Sequence, residues 1–364
     1  NEEIEEVLKR HGYLGNEKTF FIWEAVSQYI NEAAVQKTFD FFSKAPVGSR
    51  LVFTYVLKDF IKGENLYGQE KIYKMFILKD KIWGGEKLAT LLDKKSTRKD
   101  IGESWEISDV ENDTSIVSNG DLKGADLKQL INEFTSDLVG ETIYNQFGNK
   151  FPLLIKFIDA KEALSIQLHP HDDLAKKRHN SFGKTEMWYV MQADEKANLI
   201  VGFQKEVTSK EYLEHLENKK LLHILNVDEV ENGDVYFIPT GRVHAIGAGV
   251  LLAEIQQTSD ITYRIYDWDR PNSDGTFRDL HTEEAIDAID YSAQDSYKTV
   301  YSKEQNISSE IVSCPYFTTN VLPINGEVFI NHEEKDSFVI YMCVEGKANL
   351  VVDGISATNF SKSM

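Results

Sequence analysis

The sequence predicts a mainly β protein: a barrel of short strands with helical inserts, a short α/β fragment ahead of it and a second, incomplete β region behind it. Three observations predict this. Short apolar runs separated by Gly, Pro, Asn or Asp dominate from about residue 75 to 300, the rhythm of an antiparallel barrel. Two longer stretches within that region carry the apolar spacing of helices. Residues 1–74 read strand, helix, strand, the order of an α/β layer.

The elements are expected in the following order. Residues 19–23, Thr-Phe-Phe-Ile-Trp, form a short apolar strand. Asn31 caps a helix over 32–43, with Ala34, Val35, Phe39 and Phe42 on one face. Pro46-Val47-Gly48-Ser49 turns the chain into a buried-type strand over 50–56. The main β region holds strands over 153–158, 164–168, 187–192, 198–203, 235–238, 250–256 and 262–267. Its helical inserts cover 126–147 and 209–225, the second with Tyr212, Leu213, Leu216, Leu221 and Leu222 as apolar positions. A polar stretch near 302–309 leads to further strands over 316–322, 327–330, 337–345 and 347–352. Three parts are therefore expected: 1–74, 75–300 and 301–364, the last a truncated β domain.

Composition removes several function classes. The 364 residues carry 40 Lys and Arg against 59 Asp and Glu, a net charge of −19. So acidic a chain is not expected to bind nucleic acid or an anionic membrane, both of which need clustered cations. A small anionic substrate held by one or two local cations is still compatible. No run approaches the roughly 20 apolar residues of a membrane span. The opening Asn1-Glu2-Glu3-Ile4-Glu5-Glu6 lacks the apolar stretch of a signal peptide, so a cytoplasmic location is expected. Cys314 and Cys343 are too few for a disulfide framework and read as buried thiols.

The chemistry gathers in four places. Residues 233–244, Gly-Asp-Val-Tyr-Phe-Ile-Pro-Thr-Gly-Arg-Val-His, follow G-x5-P-x-G-x2-H. Pro239 ends an apolar strand because it cannot donate to the ladder, Gly241 permits a tight bend, and His244 opens the next strand. This pattern resembles the second motif of the cupin superfamily, whose jelly-roll barrels often hold a metal. In Ser165-Ile166-Gln167-Leu168-His169-Pro170, Gln167 and His169 share one face of a strand. Glu186, in Gly183-Lys184-Thr185-Glu186, opens an apolar strand and is able to turn inward. Gln167, His169, Glu186 and His244 offer only N and O ligands, which suits zinc and also Mn, Co, Ni or Fe. On the strand after His244, Glu254, Gln256 and Thr258 alternate with apolar residues, and Arg264 follows. A polar inward face beside a metal ligand fits a site and is costly in a core.

Six segments in order extend the resemblance to type I mannose-6-phosphate isomerases over about 75–364. They are Ile82-Trp83-Gly84-Gly85, Gly102-Glu103-Ser104-Trp105-Glu106-Ile107-Ser108, and residues 165–170, 183–186, 241–247 and 252–270. The resemblance implies one Zn2+ per chain on Gln167, His169, Glu186 and His244, with Arg264, Lys184 and Glu254 in the active site and Asp260 close by. It implies a small sugar phosphate as substrate. Aldose–ketose isomerisation needs a Lewis acid for the carbonyl, a base to move the proton between C2 and C1, and cations for the developing charge. Glu254 is the candidate base, with a zinc-bound hydroxide as its competitor. Trp83 and Trp105 read as packing residues, and 171–179 as a solvated loop whose Lys176-Lys177-Arg178 faces water. Residues 1–73 are similar instead to the C-terminal part of class I SAM-dependent methyltransferases, through Thr19–Glu24, Tyr29, Glu32-Ala33-Ala34-Val35 and residues 48–53. No Gly-rich nucleotide loop precedes residue 75, so SAM chemistry is not expected.

Two other classes compete. A catalytically silent cupin would bind a sugar phosphate as sensor or scaffold, but Arg264, Lys184 and Glu254 beside a full ligand set argue against it. A cupin oxygenase usually offers more His to a redox metal, and Gln167 disfavours it.

Overall fold

The computed structural model describes residues 76–364 except 95, 118–121, 273, 353–354 and 362–364, and shorter stretches before them: 4–11, 13–14, 16, 20–23, 37–38, 40–46 and 50–53. The chain divides into two compact units. One is Asn1–Lys71 with Val351–Thr358, the other Ile72–Leu350 with Asn359–Met364.

In the first unit a helix, Ile4–Arg10, precedes strands β1 (Phe20–Trp23) and β2 (Arg50–Phe53). These strands run parallel, with Phe20 opposite Arg50. A parallel pair requires a long crossover, and residues 37–38 and 40–42 within it are helical. The rest of the helix expected over 32–43, and of the strands expected over 19–23 and 50–56, lies outside the described residues. So do Glu24, Tyr29 and Glu32–Val35.

The second unit is mostly β. Its strands are β3 (Ile77–Gly85), β4 (Ile101–Ile107), β5 (Asp109–Val110), β6 (Asp113–Thr114), β7 (Leu153–Ala160), β8 (Ile166–Leu168), β9 (Glu186–Ala193), β10 (Asn198–Phe203), β11 (Leu225–Glu229), β12 (Val235–Ile238), β13 (His244–Ile246), β14 (Val250–Gln257) and β15 (Tyr263–Tyr266). Most of them order into two sheets, β12-β9-β14-β7-β3-β4 and β11-β10-β13-β8-β15. Side chains of both meet in one buried cluster, with Trp188, Val190 and Leu252 from the first and Leu199, Val201 and Ile246 from the second. Burying one such aliphatic side chain stabilises by about 1.5–3 kcal/mol, so this shared layer holds the sheets face to face.

Register places the polar residues. In antiparallel pairs, residues directly opposite share a face. Glu254 lies opposite Lys156 on one side and Trp188 on the other, and Lys156 lies opposite Trp105. One row thus crosses four strands, Trp105–Lys156–Glu254–Trp188. Across the other sheet, Gln167 lies opposite both His244 and Arg264.

The structure departs from the expected elements in four places. The insert expected over 126–147 is three short helices, Leu127–Phe134, Ser136–Val139 and Glu141–Phe147. Thr135 (φ 49°) and Gly140 (φ 92°) take left-handed backbone that no continuous helix admits. The insert expected over 209–225 ends at Glu217, before Lys219 (φ 56°), and is followed by a single 3-10 turn, Leu221–His223. Residues 171–179, read as a loop, hold a helix, Asp172–His179, capped by His171. Acidic residues in its first turn and basic ones in its last complement the helix dipole, a charge signal that apolar periodicity does not register.

The fourth departure follows strands β16 (Ser309–Ser313) and β17 (Thr318–Val321), which pair with each other. Residues 327–330 and 337–345 are not strands. Within the second of these, residues 338–342 still turn alternate side chains inward. Phe338, Ile340 and Met342 pack onto buried clusters, while Val339 and Tyr341 face solvent. The segment has no ladder partner among the described residues, and without one an apolar run is not a strand. Strands β18 (Lys347–Val352) and β19 (Ile355–Ser361) close the described chain.

Candidate metal centre and active site

Three buried ligand side chains converge between the sheets. His169 follows β8, Glu186 opens β9 and His244 opens β13, and their ligand atoms lie within 4.8 Å of one another. His169 Nε2 stands 3.4 Å from Glu186 Oε2, and His244 Nε2 stands 3.5 Å from Glu186 Oε1. The turn Pro239–His244 sets this approach. Gly241 takes φ +83°, and a Cβ there would meet the Ala288 carbonyl oxygen at 2.6 Å. Its N–H donates to the His169 carbonyl at 2.8 Å, tying the two histidine segments together.

The outer hydrogen bonds fix both imidazoles. His169 Nδ1 faces the Ile261 carbonyl at 2.7 Å and His244 Nδ1 faces the Arg242 carbonyl at 2.8 Å. A carbonyl oxygen only accepts, so each Nδ1 carries the proton and each Nε2 turns a lone pair inward. Burial holds His244 at about 3, and burial together with Lys184 lowers His169 as well, so both rings stay neutral. Burial pushes the Glu186 carboxyl up, but Lys184 and the two histidines outweigh it and leave it well below the usual carboxylate range. Glu186 Oε1 is buried and accepts no hydrogen bond from any described residue. Two imidazole lone pairs and an orphaned carboxylate oxygen around one point fit a metal cation. This donor set suits zinc and the harder first-row metals alike.

Gln167 is beside this cluster. Its Nε2 is 3.5 Å from His244 Nε2, and its Oε1 accepts from Ser165 Oγ at 3.1 Å. The amide nitrogen therefore faces the cluster. Ser165 is able to pair with either end of the amide, because a hydroxyl both donates and accepts.

The remaining expected site residues line one cavity of about 140 Å³ next to the cluster. Lys184 Nζ donates to Glu186 Oε2 at 2.5 Å and lies 3.8 Å from Glu254 Oε1. Glu254 Oε2 accepts from Trp188 Nε1 at 2.8 Å, and its Oε1 pairs with Lys156 Nζ at 2.9 Å. Arg264 donates to the Asp279 carbonyl at 2.9 Å, and its buried Nε has no partner among the described residues. Asp260 is on the wall, as are Trp83 and Trp105, which pack and also face the cavity. Gln256 does not line it: its amide nitrogen donates to the Gln257 and Ser259 carbonyls, and its buried Oε1 has no partner among the described residues. Lys176, Lys177 and Arg178 do not line it either, and Arg178 pairs with Asp287 on the helix side.

Sequence reasoning missed Lys81, Glu103, Lys156 and Arg278 on the same wall. Lys156 had a usable signal, a lone Lys inside the apolar run Leu-Leu-Ile-Lys-Phe-Ile. Lys81 pairs with Glu103 and Arg278 with Asp267. Of the five cations on the wall, Arg264 alone has no carboxylate within ion-pair distance among the described residues.

Glu103 also yields a pH dependence. Burial pushes its carboxyl up, but the Lys156 and Lys81 ammoniums and the Trp105 indole bring it down to about 2 from 4.5. The stability it contributes is therefore full above pH 4.5 and is lost as pH falls toward 2, about 3 kcal/mol in all. Thermal unfolding of Glu103→Gln should show a flatter acid limb between those values than the wild type. Parallel limbs would mean that Glu103 is not held ionised by its lysines.

A mainly β unit of two facing sheets, with a buried His, Glu, His cluster opening into a cation-rich cavity, defines a metal-binding β fold with a catalytic type of site. Residues 74–217 match the family model for the phosphomannose isomerase type I catalytic domain. The chain is 34% identical over 291 residues to the mannose-6-phosphate isomerase of Streptococcus mutans, which covers 79% of this chain and 87% of that protein. It is 32% identical over 285 residues to mannose-6-phosphate isomerase ManA of Bacillus subtilis, covering 78% and 88%. The crystal structure of mannose 6-phosphate isomerase from Bacillus subtilis aligns with TM-score 0.61 and 33% identity over 67% of this chain and 77% of that one. The chain belongs to the type I mannose-6-phosphate isomerase family of enzymes.

Proposed function

We propose that this chain interconverts mannose 6-phosphate and fructose 6-phosphate with one Zn2+ held by Gln167, His169, Glu186 and His244. The observation that carries the proposal is the convergence of two imidazole lone pairs and an unpaired carboxylate oxygen at the wall of a cavity that also holds Lys184, Glu254 and Arg264. When bound, the ion supplies Lewis-acid polarisation of the substrate carbonyl. Glu254 removes the proton from C2, and the electron pair moves into a cis-enediol. The same carboxyl returns the proton to C1 while the O2 proton passes to O1, so that C1 becomes the hydroxymethyl carbon and C2 the carbonyl of the ketose. The Trp188 and Lys156 contacts hold Glu254 in place for both transfers. Lys184 donates to the oxygen on which charge gathers. Arg264, without a carboxylate partner among the described residues, takes an anionic oxygen of the substrate, on the phosphate or the enediolate.

Every residue with a role here falls within the stretch read as the catalytic part, 75–300. Residues 301–364 are read as a second β part, and 1–74 as a methyltransferase-like piece without a role in this chemistry. In a coupled assay for fructose 6-phosphate, turnover should vanish after EDTA and return when zinc is added back. A folded, zinc-loaded protein with no turnover would overturn the isomerase reading.

A further inference from the structure

The point on which the metal ligands converge already has a cation beside it. Lys184 Nζ donates to Glu186 Oε2 at 2.5 Å and lies 3.0 Å from His169 Nε2. The His169 Nδ1 proton is committed to the Ile261 carbonyl, so Nε2 has a single lone pair to offer. That lone pair is able to accept from Lys184 or to ligate a metal, but not to do both. The distances lead to the same exclusion. An ion held through Glu186 Oε1 still takes the His169 lone pair that the ammonium uses, and one bonded at about 2.1 Å to both Oε2 and His169 Nε2 would stand within roughly 3.5 Å of the ammonium nitrogen. Two like charges that close, in a site from which water is excluded, repel strongly.

The same residue has a second seat nearby. Glu254 Oε1 lies 3.8 Å from Lys184 Nζ, is buried, and has an ion-pair contact to Lys156 at 2.9 Å but no aligned hydrogen bond from any described residue. Buried charges require partners, and an ammonium displaced from Glu186 finds one there without leaving the cavity.

We propose that Lys184 is the exchange cation of this site: its ammonium neutralises Glu186 until a metal enters, and metal entry transfers it to Glu254. Loading thus moves a proton donor from a metal ligand to the carboxylate that handles the substrate proton. The inference rests on the metal reading of the His169, Glu186 and His244 cluster, and does not depend on which substrate is turned over.

The test uses Lys184→Met, which keeps the stem and removes the charge. Zinc affinity, read by competition with a chromophoric chelator, should tighten by about tenfold or more, the scale on which residues next to the ligands act. After chelation the variant should melt below the wild type, because Glu186 has lost its counter-charge, and zinc should raise its melting temperature by more than it raises that of the wild type. Zinc binding no tighter than in the wild type would overturn the proposal. If the chelated variant does not fold, the crystal structure of the zinc-loaded wild type decides: Nζ should contact Glu254, and Nζ still bonded to His169 would overturn the idea. None of these readouts is turnover, so a failed isomerase assay would sink the activity alone. A wild type that binds no zinc would sink both.

Discussion

Glu186→Gln should lose its bound metal and, with it, isomerase turnover. The carboxylate is fully buried, and each of its oxygens faces an imidazole, at 3.4 and 3.5 Å. It is the one anion of the cluster, so it supplies the charge that draws a dication into a site closed to water. Gln keeps the shape and removes the charge. Residues that merely orient ligands cost roughly 10–100-fold in affinity when changed, and loss of the anionic ligand should exceed that range. Zinc content after gel filtration should fall to background, and the coupled assay with it. The substitution also strands Lys184 beside a neutral amide, and breaking a buried ion pair costs about 3–5 kcal/mol. A lower melting temperature is therefore expected, and the assay belongs below it. A variant with full zinc content and wild-type turnover would mean that the cluster is not the catalytic metal centre.

Glu254→Gln should keep its zinc and lose kcat by about 10²–10⁴-fold, the range that a positioned base contributes. Glu254 does not belong to the three-residue cluster, so the ligands are untouched. Gln still accepts from Trp188 Nε1 through its oxygen, but it takes no proton from C2. The Michaelis constant should change far less than kcat, which separates chemistry from binding. Exchange of the C2 hydrogen with deuterium from solvent should fall in step with kcat. If exchange persists at the wild-type rate, another group moves the proton. Because Lys156 and Lys184 both lose a partner, the variant should be less stable, and zinc content should be checked on the folded fraction.

Much of the candidate site is legible along the chain because backbone chemistry sets it locally. Pro239 and Gly241 are required by a strand end and by a left-handed turn, and they deliver His244 whatever surrounds them. Gln167 and His169 share a face because strands alternate. The misses have equally specific causes. The 126–147 insert reads as one helix by apolar spacing, yet Thr135 and Gly140 each interrupt it with positive φ. The apolar run over 337–345 reads as a strand, but it carries no information about a pairing strand, and no described residue pairs with it. The helix Asp172–His179 is polar on nearly every face, so only its charge order marked it.

The sequence by itself determined the mainly β class, the presence of His, Glu and Gln at spacings a metal site uses, and the family to which the chain belongs. Only the tertiary structure decided which charges meet. Lys156 and Glu254 are opposed across β7 and β14, and Lys184 reaches Glu186, His169 and the edge of Glu254 at once. A period of two tells which face a residue takes, whereas its partner depends on the register of a ladder closed between strands far apart in sequence. The Lys156–Glu254 and Lys184–Glu254 contacts exist because one sheet sets β7, β14 and β9 side by side, and the second sheet, packed on a shared apolar layer, keeps screening water away from them.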